Sequence, residues 1–335
     1  MPSLSGDDAT LGAVLESADG ALRSGRAAGA RAWRTGFQPL DTYLDGGLRS
    51  GQLILLGGGQ GTGKTTFVLQ VLRNVVAAGG TGLYFSYEHD ADVLLERFLA
   101  LEATEVAGNA ATPLRRLRGV LERSDGSGGG LAERMAGLPG AVEAVQAIAS
   151  YGPRLHLRRS DAAGTSVALI ADEVATLIAT GEQPVVVVDY LQKVPVPGSA
   201  LPEIERVTLV VEALKDMALA AGVPVLAVVA ADTEGLAAGR RTRIQHLRGA
   251  GALAYEADVV LLLNDKFDVV ARHHLAYDVH GAQRFHDWAV VSLEKNRSGL
   301  DRIDVQFRKQ FEHGRFDPEG SLVEEQLVGD RLHAE

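Results

Sequence analysis

The chain has 335 residues, a formal net charge of −10 and no cysteine. That composition excludes disulfides and cysteine-ligated zinc, and it argues against a surface coated in positive charge for nucleic acid. A hydrophobic content of 46% suffices for a large buried core, and net charge leaves open a basic lining inside a groove or ring.

The start, MPSLSGDDATLG, lacks a basic segment followed by an apolar run. No apolar stretch reaches the roughly 18 uncharged residues of a membrane span, so a soluble cytoplasmic protein is expected. Across residues 7–32, Leu11, Val14, Leu15, Ala18 and Leu22 fall at helical spacing. This predicts an amphipathic helix whose stripe needs a partner, on a neighbouring subunit or elsewhere; a frayed leader is the alternative. Residues 35–51 are turn-rich and approach a first strand at 52–57.

The stretch LILLGGGQGTGKTT (residues 53–66) carries the strongest signal. An apolar run enters a glycine-rich loop, and residues 64–78 then read as a helix. The spacing Gly58-x-x-x-x-Gly63-Lys64-Thr65 is that of a phosphate-binding loop between strand and helix. Glycines let consecutive N–H groups turn inward around an anion, and the following helix adds its own free donors. The nucleotide-binding residues expected are Gly58, Gly59, Gln60, Gly61, Thr62, Gly63, Lys64, Thr65 and Thr66. Lys64 would reach the terminal phosphates of ATP, and Thr65 would ligate Mg²⁺.

A second strand at 82–87 closes on Glu88, His89 and Asp90, followed by a helix at 91–103. Residues 104–151 are less regular and contain a glycine-rich stretch at 124–130, read as a mobile loop. A strand at 154–158 and a helix at 167–180 follow. In Pro184–Asp189 four consecutive valines read as a parallel strand covered on both faces. A helix at 204–221, an apolar strand at 223–230, a basic loop at 235–248 and strands at 258–263, 289–293 and 302–307 complete the pattern. The tail from 317 is acidic and reads as peripheral.

Apolar strands alternating with helices predict a doubly wound, mainly parallel α/β sheet with helices on both faces. Ligands then sit at the carboxyl ends of the strands, where the phosphate loop, Glu88, Asp189 and the loop after Ala230 should meet. Asp189 suits a Mg²⁺ ligand opposite Thr65, with turn-capping as the alternative. Glu88 suits a water-activating base, or equally a helix N-terminus. Lys295 and Arg297 suit charge stabilisation in phosphoryl transfer, or a solvated turn. Arg240, Arg241 and Arg243 suit sequence-indifferent contact with DNA phosphates, or a solvated loop. His273, His274, His280 and His286, with Asp278 and Asp287, match no metal-ligand spacing.

Together these motifs resemble the RecA-like ATPase domain of DnaB-type replicative helicases. The likeness runs from residue 35 to about 316, through TGFQPLDTYLDGGLRSGQLILLGG, FSYE, VVVVDYLQ, HLRGAGALAYEADVVLLL and KNRSG in the family's order. The RadA and RecA groups share the first segment and the phosphate loop but fit less well at DYLQ and ADVVLLL.

The resemblance implies a RecA-like P-loop NTPase domain at 35–316, preceded by a linker helix within 1–34 that docks on the adjacent subunit and followed by a tail at 317–335. It implies that Glu88 is the catalytic glutamate and Asp189 the Walker B aspartate. Lys295 and Arg297 become the basic pair offered to a neighbour's nucleotide, and Arg240, Arg241 and Arg243 fall near the DNA-facing loop. It implies a homo-oligomeric hexameric ring, with ATP and Mg²⁺ between subunits and single-stranded DNA in its channel. The expected function is an ATP-hydrolysing DNA helicase or translocase. Three features depart from the family. Its N-terminal domain has no counterpart here, Val229 and Ala230 stand where Ser-Gln is usual, and 104–151 is long and glycine-rich. The first two, with the acidic charge balance, favour an alternative, a nucleotide-gated assembly or regulatory ATPase that does not unwind DNA.

Overall fold

The computed structural model describes residues 10–124, 128–198, 200–237, 239–271, 273–274 and 283–329. Ten strands form one sheet: β1 Leu53–Gly58, β2 Thr81–Ser86, β3 Leu155–Arg159, β4 Pro184–Asp189, β5 Val225–Ala230, β6 Val259–Asp265, β7 Trp288–Asn296, β8 Ile303–Gln310, β9 Arg315–Phe316 and β10 Ser321–Leu322. The spatial order is β9-β8-β7-β6-β1-β5-β4-β2-β3, with β10 also paired to β8. The six strands from β3 to β6 are parallel, and β7 to β10 extend the sheet antiparallel.

The apolar strands are covered on both faces, as their lack of polar alternation requires. On one face Ile54, Leu56, Val185 and Val187 pack with Phe67, Val68, Val71, Leu94 and Phe98 from α2 (Lys64–Ala77) and α3 (Ala91–Ala107). On the other, Leu53, Leu55, Val186 and Val188 pack with Ile170 and Val174 of α4 (Val167–Ala179) and with Val207, Val211 and Leu214 of α5 (Glu203–Ala221).

The irregular stretch 104–151 resolves into short helices, including Leu114–Leu121 and Ala141–Tyr151. They bury Leu117, Met135, Ala141 and Ala144 against Leu99 and Ala103, so this insertion has a small core of its own. Of its glycine-rich stretch, 125–127 lie outside the described residues.

α1 is shorter than expected, Leu11–Arg23, with Thr10 as its N-cap. Its stripe meets no core among the described residues: Leu11 is 85% and Leu15 69% exposed. The tail runs along the surface and is hydrogen-bonded to the fold. Beyond β10 it runs beside residues 269–271, and Val328 N–H donates to the Val269 carbonyl at 2.8 Å.

Arg73 and Glu102 tie α2 to α3 across 2.7 Å, with the Glu102 side chain 2% exposed. Arg73→Met strands that carboxylate. A loss of about 3–5 kcal/mol in urea unfolding is expected, and most of it should return when Glu102 is also made apolar.

Candidate functional site

Strand register builds the site. Gly58 of β1 lies beside Ala230 of β5, and Ser86 of β2 lies beside Asp189 of β4. The loops leaving these strands therefore share one sheet edge, as parallel topology demands. They surround a cavity of about 630 Å³ lined by Gly58, Lys64, Thr65, Glu88, Arg97 and Asp189 among others.

The phosphate loop is a backbone cradle. Gly58, Gly61 and Gly63 hold φ of +155°, +78° and +98°. A Cβ on Gly58 would stand 2.4 Å from the Leu263 carbonyl oxygen, and one on Gly63 would meet the Phe311 and Phe316 rings at 2.6 and 2.7 Å. Only glycine lets the loop pass there, and the αL turn at Gly63 then opens α2 with its first N–H groups facing the cavity edge. Thr62 Oγ1 closes the loop on the Gly59 carbonyl at 3.0 Å. Gln60 and Thr66 complete the cavity lining on this side.

Lys64 Nζ donates to the Gly58 and Gly59 carbonyls at 3.0 and 2.6 Å. Burial pushes its pKa below the ordinary lysine value, opposed by the negative charges of Asp189 and Glu88. A bound polyphosphate favours the charged ammonium, so it must raise that pKa. Nucleotide affinity is thus full below the lowered Lys64 pKa and falls as pH rises through it. Titrating a fluorescent ATP analogue from neutral to alkaline pH should show weakening before the ordinary lysine range, a weakening missing from Lys64→Arg.

Thr65 Oγ1 donates to Asp189 Oδ2 at 2.8 Å, and the Tyr84 hydroxyl donates to the same oxygen at 2.7 Å. Asp189 is 1% exposed. A hydroxyl and a carboxylate meeting at the phosphate edge is a donor set that a hard divalent cation takes, so these residues fit Mg²⁺. Burial beside the Asp189 carboxylate pushes the Tyr84 phenol well above its usual pKa, which keeps it a donor. Tyr84→Phe removes one bond that orients Asp189. A severalfold rise in the Mg²⁺ concentration for half-maximal ATPase is expected, with nucleotide affinity in the absence of Mg²⁺ unchanged.

Glu88 stands exposed at the cavity wall, two residues beyond β2. Arg97 is a lining residue that sequence reasoning missed. It projects from α3, and its buried Nε has no hydrogen-bond partner among the described residues. The signal was present: Arg97 sits four residues after Val93 and four before Leu101, on a face otherwise apolar. A cation on a buried helix face needs an anion nearby.

Lys295 and Arg297 are not at this cavity. Lys295 on β7 lies beside Val260, near the start of β6, and its Nζ donates to the Ala254 carbonyl at 2.7 Å. Arg297 pairs with Asp258 at 3.3 Å and donates to the Tyr255 carbonyl. Asp258 accepts from Leu53 N–H, at the opposite end of β1 from Gly58. At the rise of a strand that separation is about 17 Å. Neither cation reaches the phosphate loop of its own chain.

The arginines of the basic loop are paired with acids. Arg241 is 5% exposed, paired with Asp304 and bonded to Ser292 Oγ at 2.9 Å, so its guanidinium is turned inward. Arg243 pairs with Glu294 at 2.8 Å and Arg240 with Glu234 at 3.3 Å. The acids come from β7, β8 and the loop itself, far apart in sequence from most of the arginines they hold. At the loop's root, Ala230 lines the cavity rim, and the Gln192 side chain bonds both its N–H, at 3.2 Å, and its carbonyl, at 3.4 Å.

The histidine-rich segment is described only in part. His286 stacks on Phe267 with centroids 3.7 Å apart, and Asp278 and His280 lie outside the described residues. Among the described residues no group of three or more His, Asp or Glu is placed to hold a metal, and no helix is long and apolar enough to cross a membrane.

Fold and cavity define a RecA-like P-loop ATPase domain with a nucleotide-binding site. Comparison with known proteins narrows this class. The family model of the DnaB-like helicase C terminal domain matches residues 134–317, more than half the chain, and the KaiC ATPase model matches 33–104. The chain belongs to the family of DnaB-like helicase C terminal domains.

Among solved structures, an isolated ATPase domain superposes over 92% of this chain and 99% of its own, with TM-score 0.71 and 19% identity. A DnaB-like replicative helicase, solved in a study of its interactions with primase, superposes over 92% of this chain and 67% of its own, with TM-score 0.67 and 20% identity. Curated relatives match locally. DNA repair protein RadA of Aquifex aeolicus is 50% identical over 54 residues, 16% of this chain and 12% of that protein. RadA of Campylobacter jejuni is 38% identical over 71 residues, 21% of this chain and 16% of that protein.

Proposed function

We propose that this chain is an ATP-hydrolysing motor that acts as a ring on single-stranded DNA, as a helicase or translocase. One observation carries the reading. The phosphate cavity and the Lys295–Arg297 turn lie at opposite ends of β1, which supports a site completed by a neighbouring copy. Stacking copies head to tail brings one copy's turn to the next copy's cavity, and closure of such a heterologous contact makes a ring.

In that arrangement the backbone donors of the phosphate loop and Lys64 grip the triphosphate of ATP. Glu88 orients and deprotonates the attacking water. Thr65 and Asp189 would hold Mg²⁺, which when bound neutralises charge on the transferring phosphoryl group. Arg97 adds charge from the same chain, while Arg297, aided by Lys295, adds it from the neighbour. The exposed apolar stripe of α1 suits docking on an adjoining copy, since it finds no cover among the described residues.

A second reading, a regulatory ATPase without unwinding, is favoured by Ala230. Its side chain offers no amide to report the γ-phosphate to the basic loop, and that loop's arginines are paired inward. A forked duplex with one labelled strand separates the two. ATP-dependent displacement, with ATPase stimulated by single-stranded DNA, supports the motor. ATPase indifferent to DNA and no displacement support the regulator. Scattering with ATP and Mg²⁺ should show a particle several times the monomer mass.

A further inference from the structure

The acidic segment 321–329 lies beyond the span that the family model matches, and it is built into the fold. β10 pairs with Val305 and Gln306 on the outer edge of β8. Val323 N–H donates to the Asp304 carbonyl at 3.0 Å, and Ala271 N–H to the Gln326 carbonyl at 2.9 Å. Leu327 bridges to Val270. The Glu325 carboxylate accepts from Lys266 Nζ at 2.6 Å, on a lysine side chain only 4% exposed. The segment then reaches the basic loop itself, where Arg241 N–H donates to the Gly329 carbonyl at 2.9 Å.

That contact falls where the loop is most constrained. The Arg241 side chain runs to Asp304, whose carbonyl already holds the segment through Val323. One residue on, Thr242 N–H donates to Asn264 Oδ1 at 2.7 Å. The loop begins at Ala231 and ends at Arg248, both of which line the nucleotide cavity, as does Leu236. Segment 321–329 thus grips the middle of a loop whose two ends line the cavity.

We propose that 321–329 is an internal strap that holds the basic loop closed, with Arg240, Arg241 and Arg243 turned onto Glu234, Asp304 and Glu294 instead of onto DNA phosphates. Releasing the strap opens the loop and exposes its arginines. The strap is an autoinhibitory contact, and this inference rests on the reading of single-stranded DNA as the substrate.

Two variants test it in the full site context. Val328→Pro removes the N–H that donates to Val269 while keeping the whole chain. A chain ending at Gly320, carrying Lys266→Met so that no buried ammonium is stranded, removes the strap outright. Hydrogen exchange at the Arg241 and Thr242 amides and the affinity for an oligothymidine at several salt concentrations are measured on each.

The expected result is exchange at least about tenfold faster in both. Oligothymidine should bind more tightly, with a salt slope steeper by about the number of arginines freed. Unchanged exchange in both variants overturns the strap. Faster exchange with equal or weaker oligothymidine binding overturns the autoinhibition and leaves a structural buttress. Faster exchange in a protein that binds no oligothymidine in any form overturns the DNA reading while upholding the restraint on the loop.

Discussion

Arg297→Ala is expected to lower ATP turnover by about a thousandfold or more, the scale of an arginine supplied to phosphoryl transfer from outside the active site. Nucleotide affinity should stay near wild type, because the phosphate-loop cavity lies about 17 Å away in the same chain, at the far end of β1. The substitution should leave the fold intact. Asp258 loses one partner but keeps Lys215 Nζ at 2.7 Å and Leu53 N–H at 2.8 Å. Arg297 is itself 45% exposed in its side chain, so its loss opens no buried cavity.

A mixing experiment gives this prediction its sharpest form. Arg297→Ala and Glu88→Gln should each be nearly inactive alone. Assembled together they should regain measurable ATPase, because an interface between an intact cavity and an intact neighbouring turn then exists. An Arg297→Ala protein with wild-type turnover removes the shared-site arrangement, and so does an inactive variant that no mixing restores.

Lys64→Ala is expected to be as severe by a different route. Here binding itself should fail, since the lysine is the one side-chain cation at the centre of the loop, already within 3.0 Å of the Gly58 and Gly59 carbonyls. A loss of at least about a hundredfold in turnover is expected, the scale of removing a preorganised charge-stabilising donor. A fluorescent ATP analogue should bind Lys64→Ala poorly or not at all. Tight binding with lost turnover would instead place Lys64 in the chemistry alone. The two variants thus separate gripping the triphosphate from cleaving it, one failing at each step.

Lys64→Ala also bears on the loop's own stability. Lys64 Nζ donates to two inward carbonyls, so its removal leaves them without that donor. The loss should appear as faster exchange at the phosphate-loop amides, with the global unfolding midpoint little changed, since the loop lies at the sheet edge outside both apolar layers.

Much of the molecule could be read before folding. The phosphate loop is a contiguous run, so its glycines, Lys64 and Thr65 declare themselves by spacing. The all-valine strand predicts its own burial on both faces, and its last residue, Asp189, therefore falls at the ligand edge. The strand-helix alternation carried the parallel half of the sheet, and the ordered motifs carried the family. These features are local, or follow from periodicity, which a linear chain displays without tertiary contacts.

The tertiary structure alone decided the rest. Thr65 meets Asp189 across 124 residues of chain, Arg241 meets Asp304 across 63 and Lys266 meets Glu325 across 59. An arginine in a loop reads the same whether it faces water or a buried acid. Its fate depends on which strand the sheet brings beneath it. The same holds for Arg297, whose distance from its own cavity is a property of strand length and direction, and for the tail, whose acids find their lysine only once β10 has paired with β8. Sequence specified the chemistry at each position. Long-range packing chose the partner, because an ion pair or a strand register is a statement about two remote segments at once.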